Sequence, residues 1–210
     1  MTQYKNLVQD YPNRCSEILN SFIQQATSID REVTLLLMAT AGGFVMPYER
    51  LRSDTVIKPA PIDRDNYKKE TDKLNSILTK PIKESQFFKD LMSKWRFSKP
   101  NKPVKKNEIL DAYHNAERID ANKKVVEVVK IIRNSIAHGN VLSIPDNYEQ
   151  IQDIIFLAGG EKPDGTIIPY KLIVLTPKEL ETFLFIWFEL LSSLTVPQHN
   201  VLNTIDNMAV

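Results

Sequence analysis

Ile131-Ile132-Arg133-Asn134-Ser135-Ile136-Ala137-His138-Gly139-Asn140 closes the most regular stretch of this chain. Upstream of it, Val125, Val129, Ile132 and Ile136 recur at spacings of four, three and four, which is one stripe of a 3.6-residue helix. Asp120-Ala121-Asn122 offers capping side chains before the stripe, and Gly139 can take the left-handed conformation that ends a helix. A helix is therefore predicted over 123–138. Glu127, Lys130, Asn134 and His138 fall nearly opposite the apolar stripe, so this polar face points away from the core.

Three side chains on that helix suit metal-free chemistry on a phosphodiester. A histidine such as His138 can give or take a proton, and the guanidinium of an arginine such as Arg133 matches a phosphate with two parallel donors. Asn134 lies one turn from His138 and can hydrogen-bond the imidazole. Arg133 lies about 80–100° to one side on an ideal helix, and its long arm reaches toward the same opening. A plainer account exists for each residue. A protonated histidine is favoured at a helix C-terminus by the macrodipole alone, and an arginine on such a helix can serve a structural ion pair.

Before this helix the chain reads as helical. Helices are predicted at about 13–26, after Pro12, and at about 30–46, the latter apolar nearly all round and so central to the core. Gly42-Gly43 permits close backbone approach, and Pro47 ends that helix. An irregular connection over 52–62 leads to helices at about 64–79, 82–94 and 107–119. Pro81 divides the first two, and Asn107 caps the third. Residues 94–106 read as a loop with six cations, Lys94, Arg96, Lys99, Lys102, Lys105 and Lys106, and no acid. Such a loop can track an RNA backbone, with Trp95 and Phe97 as stacking faces; a solvated connection explains it equally well.

Beyond Pro145 the periodicity changes. Residues 151–158 and 167–175 are β-branched runs around a Gly/Pro/Asp-rich loop, which predicts a β-hairpin. Gly159-Gly160 and Asp164-Gly165 lack the lysine and the following helix of a phosphate loop, so they read as turn residues. Thr176-Pro177-Lys178-Glu179 is a capping box that opens a last helix to about Leu194, and 197–210 is expected to be a loose tail. The expected fold is mainly α: a single domain over 1–210, a bundle of six to seven helices with a small β-hairpin insertion at 151–175.

Composition narrows the function classes. Of the 210 residues, 42% are hydrophobic and 25% charged, as in ordinary globular domains, and the net charge of +1 confines any nucleic-acid affinity to a local patch. The single cysteine, Cys15, excludes an intramolecular disulfide and fits a reducing compartment. His114, His138 and His199 are scattered without metal-ligand spacing, so no metal or cofactor is expected. The apolar runs 33–46 and 183–196 fall short of the roughly 18 uninterrupted residues of a membrane span, and the N-terminus lacks a signal-peptide pattern. A cytoplasmic protein without membrane association is expected.

The pattern Arg133-Asn134-x-x-x-His138 near the end of a late helix resembles the signature of the HEPN superfamily. The specific likeness covers about ten residues, and the helical character extends it loosely over the chain. The resemblance implies a catalytic role for Arg133, Asn134 and His138 in a metal-independent endoribonuclease, with two motifs facing across the cleft of a homodimer. Such proteins are commonly toxins or anti-phage effectors, whose further partner is an antitoxin or regulatory protein. Cleavage through the ribose 2′-hydroxyl needs both an acid and a base, which agrees with a paired site and with RNA as substrate. A HEPN-like bundle that binds a nucleotide or protein without catalysis would show the same residues.

Overall fold

A computed structural model of the protein describes residues 7–51, 61–100, 109–161 and 165–194. In chain order the helices of the N-terminal half are α1 (Leu7–Ser28), α2 (Glu32–Ala39), α3 (Met46–Leu51), α4 (Pro61–Leu78) and α5 (Lys89–Met92). There follow β1 (Arg96–Ser98), α6 (Ile109–His114), β2 (Glu117–Arg118) and α7 (Val125–Ala137). The chain continues with β3 (Val141–Pro145), β4 (Ile151–Glu161), β5 (Ile167–Leu175) and α8 (Pro177–Ser192).

The expectation of a helical bundle with only a small hairpin does not hold. The five strands form one antiparallel sheet in the order β2-β1-β5-β4-β3. The predicted hairpin is its centre, with Ile155 opposite Val174 and Leu157 opposite Leu172. Both faces of that hairpin are apolar, so both must be covered. Ile154, Phe156, Ile173 and Leu175 join the core formed with the helices, while Ile155, Leu157, Leu172 and Val174 pack with Ile109, Ala112 and Tyr113 of α6. A strand pair buried on both sides recruits neighbours to satisfy its edges, and three short segments supply them.

None of those segments is among the strands expected from the sequence. Arg96–Ser98, expected within a basic loop, pairs with β5 at Arg96–Val174 and Phe97–Ile173. Glu117–Arg118, expected at the end of a helix, pairs with β1, and Ile119 donates its N–H to Trp95 O. Val141–Pro145 pairs with β4, its proline at the strand's end where a missing N–H is tolerated. The helix expected at 82–94 is likewise reduced to a 3₁₀ turn, Ile82–Glu84, and the short α5. Here the backbone is engaged elsewhere: Ile82 N–H bonds Lys123 O, Lys83 N–H bonds Ala121 O and Val125 N–H bonds Lys80 O.

Other elements follow their sequence signals. The Thr176 capping box is formed, with Thr176 Oγ1 accepting from Glu179 N and Glu179 Oε2 accepting from Thr176 N. Pro12 lies inside α1, which starts earlier than its predicted first residue. The helix expected over 30–46 runs on past Pro47 through a π-helical segment, Thr40–Val45, into α3. Gly43 sits in that segment against α8: an added Cβ would meet the Phe188 ring at 2.5 Å. Beside it Phe44 meets Phe183 and Trp187 edge-to-face, with centroids at 5.3 and 4.9 Å. This segment also packs on α7, so the motif helix lies between the helical layer and the sheet. Among the described residues no helix is long and apolar enough to cross a membrane.

Candidate functional site

The motif helix α7 buries Val125, Val128, Val129, Ile131, Ile132 and Ser135, and leaves Glu127, Lys130 and His138 exposed. Its end is a Schellman turn. His138 is the last residue before the break, Gly139 takes φ +65°, Gly139 N–H bonds Ile136 O, and Asn140 N–H bonds Ser135 O. Asn140 O then accepts from Leu157 N of β4. That bond fastens the helix terminus to the hairpin, so His138 stands where helix and sheet diverge.

An open groove of about 680 Å³ fills the divergence. One wall is the polar face of α7, with Glu127, Lys130, Asn134 and His138; the other is the hairpin, with Leu157 to Gly160 and Ile168 to Lys171. The hairpin wall is shaped by a register shift between Ala158 and Gly160. Gly159 at φ +141° allows it, since a Cβ there would fall 2.7 Å from Tyr170 Cα. The groove thus joins two of the three residues expected from sequence.

Arg133 is oriented differently. Its Nε donates to Glu49 Oε1 of α3 at 2.6 Å, and its Nη1 donates to Asn134 Oδ1 at 2.8 Å. The guanidinium is half-buried against α3 and abuts the groove through the Asn134 amide. The Asn134 oxygen is consequently engaged by Arg133, and among the described residues no hydrogen bond links Asn134 to the His138 ring. Nη2 of Arg133 has no partner among the described residues. An imidazole, an amide and an adjoining guanidinium on one helix end can move a proton and bind an oxyanion.

The basic segment is divided. Lys94 and Lys99 are exposed, whereas Arg96 reaches across the sheet to Asp153 on β4, Nη2 to Oδ2 at 2.6 Å. Tyr113 OH donates to the same Asp153 oxygen at 2.7 Å, and the Arg96 guanidinium lies 4.9 Å from the Tyr113 ring. Burial of the Tyr113 phenol, followed by its bond to Asp153, raises its pKa. Trp95 is fully buried, and Phe97 packs on the core with Lys123 Nζ 4.3 Å above its ring, so neither presents a free stacking face. Lys102, Lys105 and Lys106 lie outside the described residues, as do Asn107, His199 and the tail at 197–210. His114 is exposed at the end of α6, edge-on to Tyr113.

Sequence reasoning passed over Lys130, Tyr170 and Lys171 as site residues. Lys130 was within reach, because it shares the polar stripe with Asn134 and His138. Tyr170 and Lys171 are separated from the motif by more than thirty residues, and only the pairing of the hairpin with the end of α7 brings them there. Among the described residues no group of three or more His, Cys, Asp or Glu side chains is placed to hold a metal ion.

Comparisons with curated proteins and with solved structures give no match. The HEPN pEK499 p136 family, by contrast, matches residues 1–197, nearly the whole chain and not the motif alone. A late helix ending in Arg133-Asn134-x-x-x-His138-Gly139 at an open groove is thus accompanied by similarity along the sequence, and the protein belongs to the HEPN pEK499 p136 family of the HEPN superfamily.

Proposed function

We propose that the protein is a metal-independent endoribonuclease in which His138 moves protons and Arg133 and Asn134 bind and orient the scissile phosphate. The observation that carries this reading is the placement of Asn134 and His138 together in one open groove at the end of α7, in a member of a superfamily commonly ribonucleolytic or toxin-like. In the reaction a base removes the 2′-hydroxyl proton, the 2′-oxygen attacks phosphorus, and the bond to the 5′-oxygen breaks as an acid protonates it. The products are a 2′,3′-cyclic phosphate and a 5′-hydroxyl. One histidine does not readily serve as both acid and base, and a homodimer that faces two grooves supplies the second through the partner subunit's His138. Arg133 can hold a phosphate oxygen with Nη2 while Nε stays on Glu49. An RNA-cutting effector of this kind acts as a toxin or anti-phage protein, restrained by an antitoxin or regulatory partner.

The deciding experiment is incubation of purified protein with mixed RNA in EDTA beside His138→Ala. Cleavage by the wild type alone, leaving cyclic or 3′-phosphate ends, is expected; an absolute requirement for added divalent metal overturns the mechanism. Light scattering at micromolar concentration should give a dimer, and a fully active monomer removes the composite site. A second reading, a non-catalytic module that binds a nucleotide or protein, is favoured by one observation: the arginine of the motif is already ion-paired with Glu49. RNA that stays intact while binding in the groove would establish that reading.

A further inference from the structure

Arg133, the cation of the motif, is turned toward α3 and does not line the groove. Two other cations do. Lys130 is exposed on α7, one turn before Asn134 and two before His138, so it continues the same polar stripe. Lys171 is exposed on β5, opposite Ala158. It shares strand parity with Ile173 and Leu175, which pack into the core with α7, so Lys171 emerges on the side of the sheet that the motif helix covers. The small Ala158 beside it and the shifted register at Gly159 leave the space over this part of the strand open.

The charge balance of the groove points the same way. Glu127 is the one acid among its lining residues, and it is matched by Lys123 one turn earlier, with Nζ to Oε2 at 3.8 Å. Neither Lys130 nor Lys171 has an ion pair or side-chain hydrogen bond among the described residues. Two uncompensated ammonium groups on facing walls, beside a histidine and an amide, form a local anion site on a chain whose net charge is only +1.

We infer that Lys130 and Lys171 form a two-walled phosphate clamp that holds single-stranded RNA across the groove, with the hairpin supplying a binding residue that the Arg/His motif does not contain. The inference rests on the ribonuclease reading for the identity of the strand, but not on cleavage itself. An ammonium on each wall contacts successive phosphates, and the strand so held passes His138. Lysine suits this task because it acts as a point charge on a flexible stem, without demanding one phosphate orientation.

The test uses a fluorescent single-stranded RNA with 2′-O-methyl groups throughout, so that binding is read without cleavage. Full-length wild type, Lys130→Ala, Lys171→Ala, the double alanine variant and the two Lys→Arg variants are titrated at several salt concentrations. Each alanine should weaken binding about five- to tenfold and reduce the salt slope by about 0.7, the value for one phosphate contact on a single strand. The arginine variants should keep the wild-type slope. Thermal midpoints within about a degree of wild type in both alanine variants, expected for exposed side chains, tie the loss to binding. An unchanged slope in the double variant overturns the clamp, as does inorganic phosphate or a mononucleotide binding as tightly as the oligonucleotide. Wild-type protein that binds no RNA overturns both the clamp and the ribonuclease reading. Lysine-dependent binding together with a His138→Ala variant that still cleaves overturns only the catalytic reading.

Discussion

Arg133 Nε and Glu49 Oε1 meet at 2.6 Å across 84 residues of sequence, joining the end of the motif helix to α3. Both side chains are partly exposed, at 23% and 32%, so solvent screening keeps the pair at the level of a good surface ion pair. Arg133→Ala and Glu49→Ala should each lower stability by about 1 kcal/mol, and the double variant by less than the sum of the two. Urea unfolding of the four proteins checks this. Additive losses would show that the pair contributes nothing beyond its separate side chains.

Catalysis and stability should separate at His138. The ring is exposed and has no side-chain partner among the described residues, so His138→Ala should leave the urea midpoint unchanged. Cleavage should fall by about two orders of magnitude or more, the usual scale for a lost acid–base group. Asn134→Ala, which removes an orienting group bonded to Arg133, should cost less. Single-turnover cleavage beside unfolding curves provides the comparison, and a variant that melts early while retaining its activity would make His138 structural.

Gly43 carries a prediction for the core alone. Its absent side chain admits the Phe188 ring, and Cys15 Cβ lies 3.1 Å from the added Cβ position. Gly43→Ala forces α8 or the π-helical segment outward and should destabilise the protein by about 1–3 kcal/mol. A thermal midpoint equal to that of the wild type would mean that the Phe188 ring moves aside freely.

The parts legible in the sequence were those with a strong local signal. The motif helix, its glycine stop, the central hairpin and the Thr176 box each rest on periodicity or turn chemistry, and each is present. The sheet's outer strands had no such signal: Arg96-Phe97-Ser98 and Glu117-Arg118 become strands only because β5 and then β1 offer an edge. The same holds for the site. His138 and Asn134 announce themselves on one helix face, whereas Glu49, Lys130 and Lys171 acquire their roles from tertiary placement. The orientation of Arg133 was hidden for the same reason, since its partner lies on another helix.

Tyr113 gives stability a dependence on alkaline pH. Burial and the bond to Asp153 raise its phenol pKa above the ordinary value of about 10. Between that value and the higher one in the folded protein, the unfolded chain has lost the phenolic proton and the native protein retains it. The contribution is therefore complete below about pH 10 and is lost as pH rises through the folded pKa. Tyr113→Phe should lower stability at neutral pH by about 1.5–3 kcal/mol for the lost hydrogen bond to a charged group, and flatten the alkaline fall. Urea midpoints from pH 7 to 11 measure both; an alkaline profile identical in the two proteins would remove Tyr113 as its source.

Arg96 and Lys94 stand two residues apart in the basic segment, yet they should respond oppositely to substitution. Asp153 is 6% exposed and relies on Arg96 and Tyr113 for its compensation. Arg96→Ala leaves a buried carboxylate with one partner, and a loss of about 2 kcal/mol or more is expected, below the full cost of breaking a buried pair because Arg96 itself is one-third exposed. Its effect on the salt slope of RNA binding should be small, since its charge already faces Asp153. Lys94→Ala and Lys99→Ala remove exposed cations and should leave stability within about 0.5 kcal/mol. If the segment guides RNA, those two changes flatten the slope of binding by about 0.7 each, with the chemical step at saturating RNA unchanged. A slope unaltered by the double lysine variant would confine RNA contact to the groove and leave the segment as a sheet strand and connection.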